Sequence, residues 1–173
     1  TIGGIISALK NFATEAVHLA AKMQDLNLAF RAIEGSASAA NNTVAFLFAT
    51  VQRLGLDFEK TVGDFKNFTA AAKGTALEGE NSRRVFEGLA AGARTMGLSG
   101  QQTHSVLIAL EQMLSKGKVT AEEYRRQLAN ALPSAINLFA SGLGVTTQAL
   151  EQMNKSGLIP ADAAVVALAN AME

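Results

Sequence analysis

Apolar residues recur at alternating spacings of three and four along residues 2–33 of this chain. A helix with this pattern keeps its apolar side chains on one face, where they can pack against another helix. Apolar residues also flank the stripe, and this width favours a helical bundle over a bare two-stranded coiled coil. The stripe consists of Ile2, Ile5, Leu9, Phe12, Ala16, Leu19, Met23, Leu26, Phe30 and Ile33.

Residues 34–43 are the weakest helical part of this region, because glycine, serine and asparagine all disfavour a helix interior. A break there would give a helical hairpin. Against a break, the apolar spacing resumes in the same phase, as one continuous helix would require. Both alternatives stay open from the sequence. The apolar positions on the two sides form a possible self-association face, made of Leu9, Phe12, Leu19, Met23, Leu26, Phe30, Val44, Leu47, Val51 and Leu54.

A glycine-containing loop at residues 73–79 suggests a division into long heptad helices over residues 1–73 and a compact cluster of short helices over residues 74–173. Apolar residues make up 49% of the chain, but aromatic residues only 6%, and the chain has two prolines. Such an alanine-rich, proline-poor composition favours helices around a thin core. Strand-like alternation is absent from the sequence. We therefore predict an all-α fold.

The clearest joint between two helices lies at residues 115–128. Gly117 can adopt the left-handed conformation that ends a helix, and Lys116 places positive charge on the last helical turn. Thr120 and Glu123 have the spacing of a capping box that starts the next helix. We assign an architectural role to this joint. Its other members are Ser115, Lys118, Val119, Glu122, Arg126, Gln127 and Leu128.

Two further joints follow. Pro133 disfavours helical geometry in the residue before it and suits the first turn of a new helix. Gly144, Val145 and Thr146 then repeat the order of the first joint: a glycine stop, an apolar residue and a hydroxyl cap. The intervals between joints vary, so this is reuse of one capping solution and not a solenoid repeat.

The sequence gives little support for catalysis or for the binding of a metal, nucleic acid or membrane. The formal net charge is zero, so no global field recruits nucleic acid or an anionic membrane, and no apolar run approaches the length of a membrane span. The chain has no cysteine, and its two histidines, His18 and His104, lack ligand spacing with carboxylates. No serine or glycine-rich loop has the context of a nucleophile or phosphate site. We expect no enzyme activity, cofactor or metal.

Several spaced blocks of the sequence carry a resemblance to a known family. The blocks are residues 68–75, residues 107–113, residues 115–128, residues 132–133 and residues 144–150. They resemble the N-terminal domain of bacteriophage and prophage tail tape measure proteins and occur in the order of that family. The resemblance covers roughly residues 58–173. Ser134 departs from the family pattern, which has glycine after the proline.

The resemblance implies a fragment of a helical ruler that sets how far the tail tube polymerises and that is released during DNA delivery. It also implies other copies of the chain, tail tube proteins and tail assembly chaperones as partners. The expected location is the virion tail, and the host cytoplasm during assembly. The start at Thr1 suggests a piece of a longer protein. The apolar helices alone would equally suit a helical adaptor or chaperone-like module without a length-setting role.

Overall fold

The structure, a computed structural model, describes residues 21–120 and 122–172. Over these ranges every regular element is helical and no β-strand forms. The all-α fold class predicted from the sequence is confirmed. Contacts divide the chain into two compact units, Thr1–Ala45 and Phe46–Glu173, whereas the sequence pattern suggested a division at residue 73.

In the first unit, the described chain folds back on itself as a helical hairpin. Helix α1 (residues 21–34) is followed by Gly35, whose φ of 77° lies in the left-handed region that glycine adopts at no steric cost. Helix α2 (Ala37–Leu54) begins two residues later. The Asn27 amide donates to Asn41 Oδ1 at 2.6 Å, whereas 14 residues along one straight helix would span about 21 Å. Of the two alternatives, the structure therefore has the hairpin.

The heptad spacing does not correspond to one continuous helix. It passes through the break at Gly35 and through a second turn at Gly55, where φ is 61°. Helix α3 starts only at Phe58. Of the predicted self-association positions, Phe30, Val44, Leu47 and Val51 are buried within the chain, Met23, Leu26 and Leu54 are half-buried, and Leu9, Phe12 and Leu19 lie outside the described residues.

The second unit consists of short helices joined by tight turns. Several of the turns are capped by side chains: Asp57 accepts a hydrogen bond from the backbone N–H of Lys60 at 2.8 Å. Ser99 and Gln102 form a reciprocal capping box at the start of α5, with hydrogen bonds of 3.2 and 3.0 Å. The elements are α3 (Phe58–Ala72), α4 (Glu80–Thr95), α5 (Gly100–Lys116), a π-helical segment (Glu122–Leu128), α6 (Ala129–Ala131), α7 (Ala135–Gly142), α8 (Thr147–Lys155) and α9 (Ala161–Met172).

Phenylalanine rings form the core between α3 and α4. Phe65 and Phe68 of α3 are fully buried, and both rings contact Phe86 of α4. The ring centroids of Phe65 and Phe86 lie 4.9 Å apart in an edge-to-face arrangement, and those of Phe68 and Phe86 lie 5.9 Å apart. Phe46 of α2 extends the cluster, 5.6 Å from Phe65. These large apolar side chains compensate for the small alanines elsewhere in the core.

Helix α9 packs closely against α4 and α7 because both contribute a glycine at the contact. A Cβ on Gly142 of α7 would lie 2.1 Å from the carbonyl oxygen of Ala167. A Cβ on Gly92 of α4 would lie 2.5 Å from Cβ of Met172. The helices can therefore approach only without side chains at these two points. The buried side of α9 consists of Ala161, Ala164, Val165, Ala167, Leu168, Ala169 and Met172.

Candidate functional site

The joint between α5 and the π-helical segment ends α5 as the sequence predicts. Helix α5 stops at Lys116, and Gly117 has a φ of 71° in the left-handed region. The backbone N–H of Gly117 donates to the carbonyl of Leu114 at 3.0 Å, which satisfies one of the free carbonyls at the helix end. Ser115 and Lys118 are exposed at this end of the joint.

Two backbone hydrogen bonds tie this joint to the turn between α8 and α9. The N–H of Val119 donates to the carbonyl of Ile159 at 3.1 Å, and the N–H of Ala161 donates to the carbonyl of Gly117 at 3.2 Å. Lys118 and Pro160 thus form an isolated antiparallel bridge. The side chains of Val119 and Ile159 are both buried. The two turns, about 40 residues apart in the chain, therefore form one structural unit.

A buried carboxylate lies at the centre of the joint. The side chain of Glu123 is 0% exposed, and it accepts hydrogen bonds from Lys116 Nζ and from Thr120 Oγ1. The Thr120 hydroxyl is thus a donor to Glu123, whereas the capping box made it an acceptor of a backbone N–H. An ionised carboxylate can be buried only with such partners, since leaving it unpaired would cost several kcal/mol. The joint is built around this charge.

The pKa of Glu123 reflects this arrangement. Burial alone raises the pKa of the carboxyl, but the hydrogen bonds from Lys116 and Thr120 outweigh that effect. The pKa therefore lies below the ordinary value of 4.5, and the group stays ionised at neutral pH. A buried carboxylate that stays ionised at neutral pH stabilises structure and is poorly suited to transferring protons.

The segment that follows is π-helical, with hydrogen bonds one residue longer than in an α-helix. Leu128 is buried in it, and Gln127 donates to the side-chain oxygen of Gln112 at 2.8 Å. The outward residues pair with one another: Arg126 contacts Glu122 at 3.4 Å. The predicted joint residues thus divide into a buried set, which holds the joint to the core, and an exposed set.

Tyr124 in the π-helical segment is a buried residue next to the joint. Its side chain is 1% exposed, and its ring lies edge-to-face with Phe139 at a centroid distance of 5.9 Å. Among the described residues its hydroxyl has no hydrogen-bond partner. Burial and then the negative charge of Glu151 raise the pKa of Tyr124 to about 12.

The joint at Pro133 ends the preceding helix as predicted, but Pro133 lies in the turn before the next helix and not in the first turn of that helix. Leu132 is extended before Pro133, with φ −130° and ψ 91°, and α7 begins at Ala135, two residues after the proline. Gly144 has a φ of 67°. Thr146 then accepts a hydrogen bond from the backbone N–H of Ala149 at 3.2 Å, so α8 is capped as predicted. The backbone N–H of Val145 also donates a hydrogen bond to the carbonyl oxygen of Ala140, at 2.9 Å.

Within residues 21–120 and 122–172, no group of histidine, aspartate and glutamate side chains has the arrangement of a metal site. None of the helices in these ranges is both long and apolar enough to cross a membrane. The backbone hydrogen bonds of Val119 and Ala161 support an architectural role for the joint, in which it fixes the path of the chain between α5 and α9.

Comparisons with known proteins identify the family of this chain. A family model described as "Tape measure protein" matches residues 14–173. The "Probable tape measure protein" of Salmonella phage Felix O1 (isolate Felix O1-VT1) is 32% identical over 158 residues, which are 90% of this chain and 21% of that relative. The chain thus spans about a fifth of the length of the relative. No solved structure gives a significant match. Because the family model covers almost the whole chain, the chain belongs to the tape measure protein family.

Proposed function

We propose that this chain is a module of a phage tail tape measure protein, whose extended helical chain sets how far the tail tube polymerises. The full-length protein is then released from the tube during DNA delivery. It lies in the virion tail, and in the host cytoplasm during assembly. The observation that carries the proposal is the family match over residues 14–173 of a chain whose regular elements are helical wherever it is described.

A helix suits a ruler because its length per residue is fixed at about 1.5 Å. A protein that reads length in this way must remain helical over the distance that it measures. The relative in Salmonella phage Felix O1 is several times longer than the matched segment, so a helix of this kind can lie outside that segment.

Within the ruler, residues 46–172 serve as a folded module and not as a stretch of rod. The longest described helix, α2, has 18 residues and spans about 27 Å. Helices α3 to α9 contact one another within one compact unit. We therefore propose that the measuring rod lies elsewhere in the parent protein and that this module anchors it to the assembling tail.

In-frame deletions in the full-length parent test the ruler. Removing helical segments outside this module should shorten tails by about 1.5 Å per residue removed, measured by electron microscopy of purified virions. A control carries a scrambled helical segment of the same length and should leave tail length unchanged. Tails of unchanged length after the deletions would contradict the length-setting role.

Self-association is the second part of the proposal. The amphipathic helices of residues 2–72 pack against the same helices in other copies of the chain. Tail tube proteins and tail assembly chaperones contact the module. Support comes from the apolar spacing and from Met23, Leu26 and Leu54, which are only half-buried within the chain. Light scattering tests the pairing directly: an oligomer at tens of micromolar is expected, and a monomer at that concentration would contradict it.

A helical adaptor without a length-setting role is the alternative that the compact second unit favours, since a folded cluster of short helices resembles a binding module more than a rod. The deletion series separates the two functions. Under the adaptor alternative, tails form at unchanged length when segments outside the module are removed, and they fail to form when the module is removed.

A further inference from the structure

Four of the described helices end within the second unit with the same backbone geometry. In each, a glycine with positive φ is followed by an apolar residue whose N–H donates to the carbonyl five residues earlier. At helix ends of this type, the apolar residue often packs back against the last helical turn. Leu56, Leu98 and Val145 are half-buried, whereas Leu158 is 66% exposed. Leu158 is therefore an apolar residue that most of its own helix end leaves uncovered.

The turn that carries Leu158 is held by its neighbours in the chain. The N–H of Val119 donates to the carbonyl of Ile159, and the N–H of Ala161 donates to the carbonyl of Gly117. The side chains of Val119 and Ile159 are buried. Because these contacts fix the turn, the backbone already has the conformation in which it presents the leucine to a partner. A preorganised backbone loses less conformational entropy on binding.

Two lysines flank Leu158. Lys155 is the last residue of α8, three residues before Leu158, and Lys118 lies on the other side of the antiparallel bridge. Both lysines are exposed, and neither forms an ion pair with a carboxylate of the described residues. The glutamate of α8, Glu151, pairs with Arg125 instead, at 2.7 Å. The turn therefore presents an apolar side chain beside two uncompensated positive charges.

We propose that Leu158, Lys118 and Lys155, here called the Leu158 patch, dock the module onto a different protein that has an apolar pocket rimmed by carboxylates. Leu158 fills the pocket, and the two lysines pair with the carboxylates of the rim. An apolar centre with charged residues around it is the usual arrangement of a protein interface. The proposal rests on the proposed function only in that the module contacts another protein, and it is independent of length setting.

A membrane and a second copy of the chain are the other possible occupants, and the charges disfavour both. Polybasic sites for anionic membranes contain about four to eight basic residues, whereas this patch has two. A second copy would need an acidic rim. In the described chain, the groove of about 450 Å³ between α4, α7 and α9 carries one charge of each sign, on Arg84 and Asp162. The groove of about 350 Å³ beside α5 is lined by uncharged residues.

A third cavity of the described chain, next to Asp57 and Asp64, does have carboxylates. Its volume of about 50 Å³ has room for only a few water molecules. None of these three sites therefore combines an acidic rim with space for a leucine side chain. This is why we assign the partner to a different protein.

Leu158→Ser first separates docking from folding. The urea midpoint of the 173-residue chain should stay unchanged, because this leucine is largely exposed. Leu98→Ser is the matched control, since Leu98 has the same place at the end of α4 and is half-buried. That variant should have a lower midpoint. A midpoint lowered as much in Leu158→Ser as in Leu98→Ser would assign Leu158 to the fold and overturn the proposal.

A photoreactive amino acid at position 158 of the full-length parent then identifies what lies against the patch in phage-producing cells. The crosslinked peptide, mapped by mass spectrometry, should come from a different protein and should contain apolar residues beside aspartate or glutamate. The same probe at Met96, an apolar residue that is 40% exposed, is the control for random crosslinking. It should not give this product.

Charge reversal tests the rim. The double variant K118E/K155E should lower the crosslinking yield about tenfold, because repulsion replaces two attractive contacts. The matched control K66E/K73E changes the net charge equally at two exposed lysines outside the patch and should leave the yield unchanged.

A product with lipid, with another copy of the chain, or with a peptide that lacks carboxylates would overturn the proposal. So would a product that forms equally at Met96, or a yield that K118E/K155E does not change. These outcomes say nothing about tail length, which the in-frame deletions measure separately. A failure of the Leu158 patch can therefore be distinguished from a failure of the length-setting role.

Discussion

The joint between α5 and the π-helical segment and the joint between α7 and α8 share the same order of residues and differ in what holds them. In both, a left-handed glycine is followed by valine and threonine: Gly117 precedes Thr120, and Gly144 precedes Thr146. At the α7–α8 joint the threonine caps the backbone of an ordinary α-helix. At the α5 joint the threonine donates to a buried glutamate, and the helix that follows is π-helical.

The difference shows that the same local order of residues can be stabilised by two different kinds of interaction. The α7–α8 joint is stabilised by backbone geometry and a neutral hydrogen bond, neither of which depends on pH. The α5 joint depends on an ion pair and a charged hydrogen bond inside the protein, and these hold only while Glu123 is ionised. Variants at matched positions should therefore respond differently to pH at the two joints.

The largest effect should come from Lys116→Met, which leaves Glu123 without its cation. Breaking a fully buried pair costs about 3–5 kcal/mol. Lys116 is 50% exposed, so solvent reduces this, and we expect a loss of about 2–3 kcal/mol in the free energy of unfolding at pH 7. Urea denaturation measures it. Lys155→Met, an exposed lysine that also precedes a left-handed glycine, is the matched control and should change little.

The cost of Lys116→Met should also fall in acid. The pKa of Glu123 is lowered by folding, so its contribution is present above 4.5 and is lost as the pH falls through the lower folded value. Once the carboxyl is protonated, the missing lysine matters less, and the two proteins should converge in stability. A cost that stays the same as the pH falls from 7 through the folded pKa of Glu123 would show that Lys116 acts through its packing and not through its charge.

Gly117→Val and Gly144→Val should each cost about 2 kcal/mol, because valine is forced into the left-handed region. At both positions an added Cβ would meet nothing within 4 Å, so the cost is conformational and should be nearly equal. Thermal and urea unfolding measure it. Gly63→Ala is the control: it lies inside α3 with open space around it, and alanine there should stabilise the helix by up to about 1 kcal/mol. Markedly unequal losses would mean that the two glycines do not share one role.

Thr120→Ala and Thr146→Ala compare the two hydroxyls directly. Loss of the bond to the Glu123 carboxylate should cost about 1.5 kcal/mol, and loss of the neutral cap at Thr146 about 1 kcal/mol. The first loss should shrink in acid, and the second should not. The threonine-to-serine variants keep the hydroxyl and should restore most of each loss. Identical pH profiles for the two alanine variants would remove the distinction between the joints.

The places where helices stop and start could be predicted from the sequence because these signals are local. The left-handed glycines, the capping box at Ser99 and the break before Pro133 each act through backbone atoms a few residues away. The heptad spacing was a weaker guide. It continues through the turns at Gly35 and Gly55, because apolar spacing reports which positions are buried and not whether the helix between them is unbroken.

The contacts that tie the joint together could not be read from the sequence. The bond between Val119 and Ile159 joins turns about 40 residues apart, and no local pattern specifies such a pairing. The capping pattern pairs Thr120 with Glu123, but it predicts an exposed helix start and not a buried carboxylate. The contact of Glu123 with Lys116, at the end of the preceding helix, is outside that pattern. The pair of Asp64 on α3 and His104 on α5 was hidden for the same reason, because its members lie on separate helices.

The smallest effect should come from Tyr124→Phe, and it should be a gain. A buried hydroxyl without a partner carries an uncompensated desolvation cost, and removing it while keeping the ring should stabilise the chain by about 0.5–1 kcal/mol. Tyr124 is the single tyrosine of the sequence, so ultraviolet titration reads its ionisation alone, and that should occur near the pKa of about 12. Tyr124→Leu, which loses the edge-to-face contact with Phe139, should be less stable than either. A loss of stability in Tyr124→Phe together with ionisation near pH 10 would show that the hydroxyl is solvated, and that the π-helical segment opens this part of the joint to water.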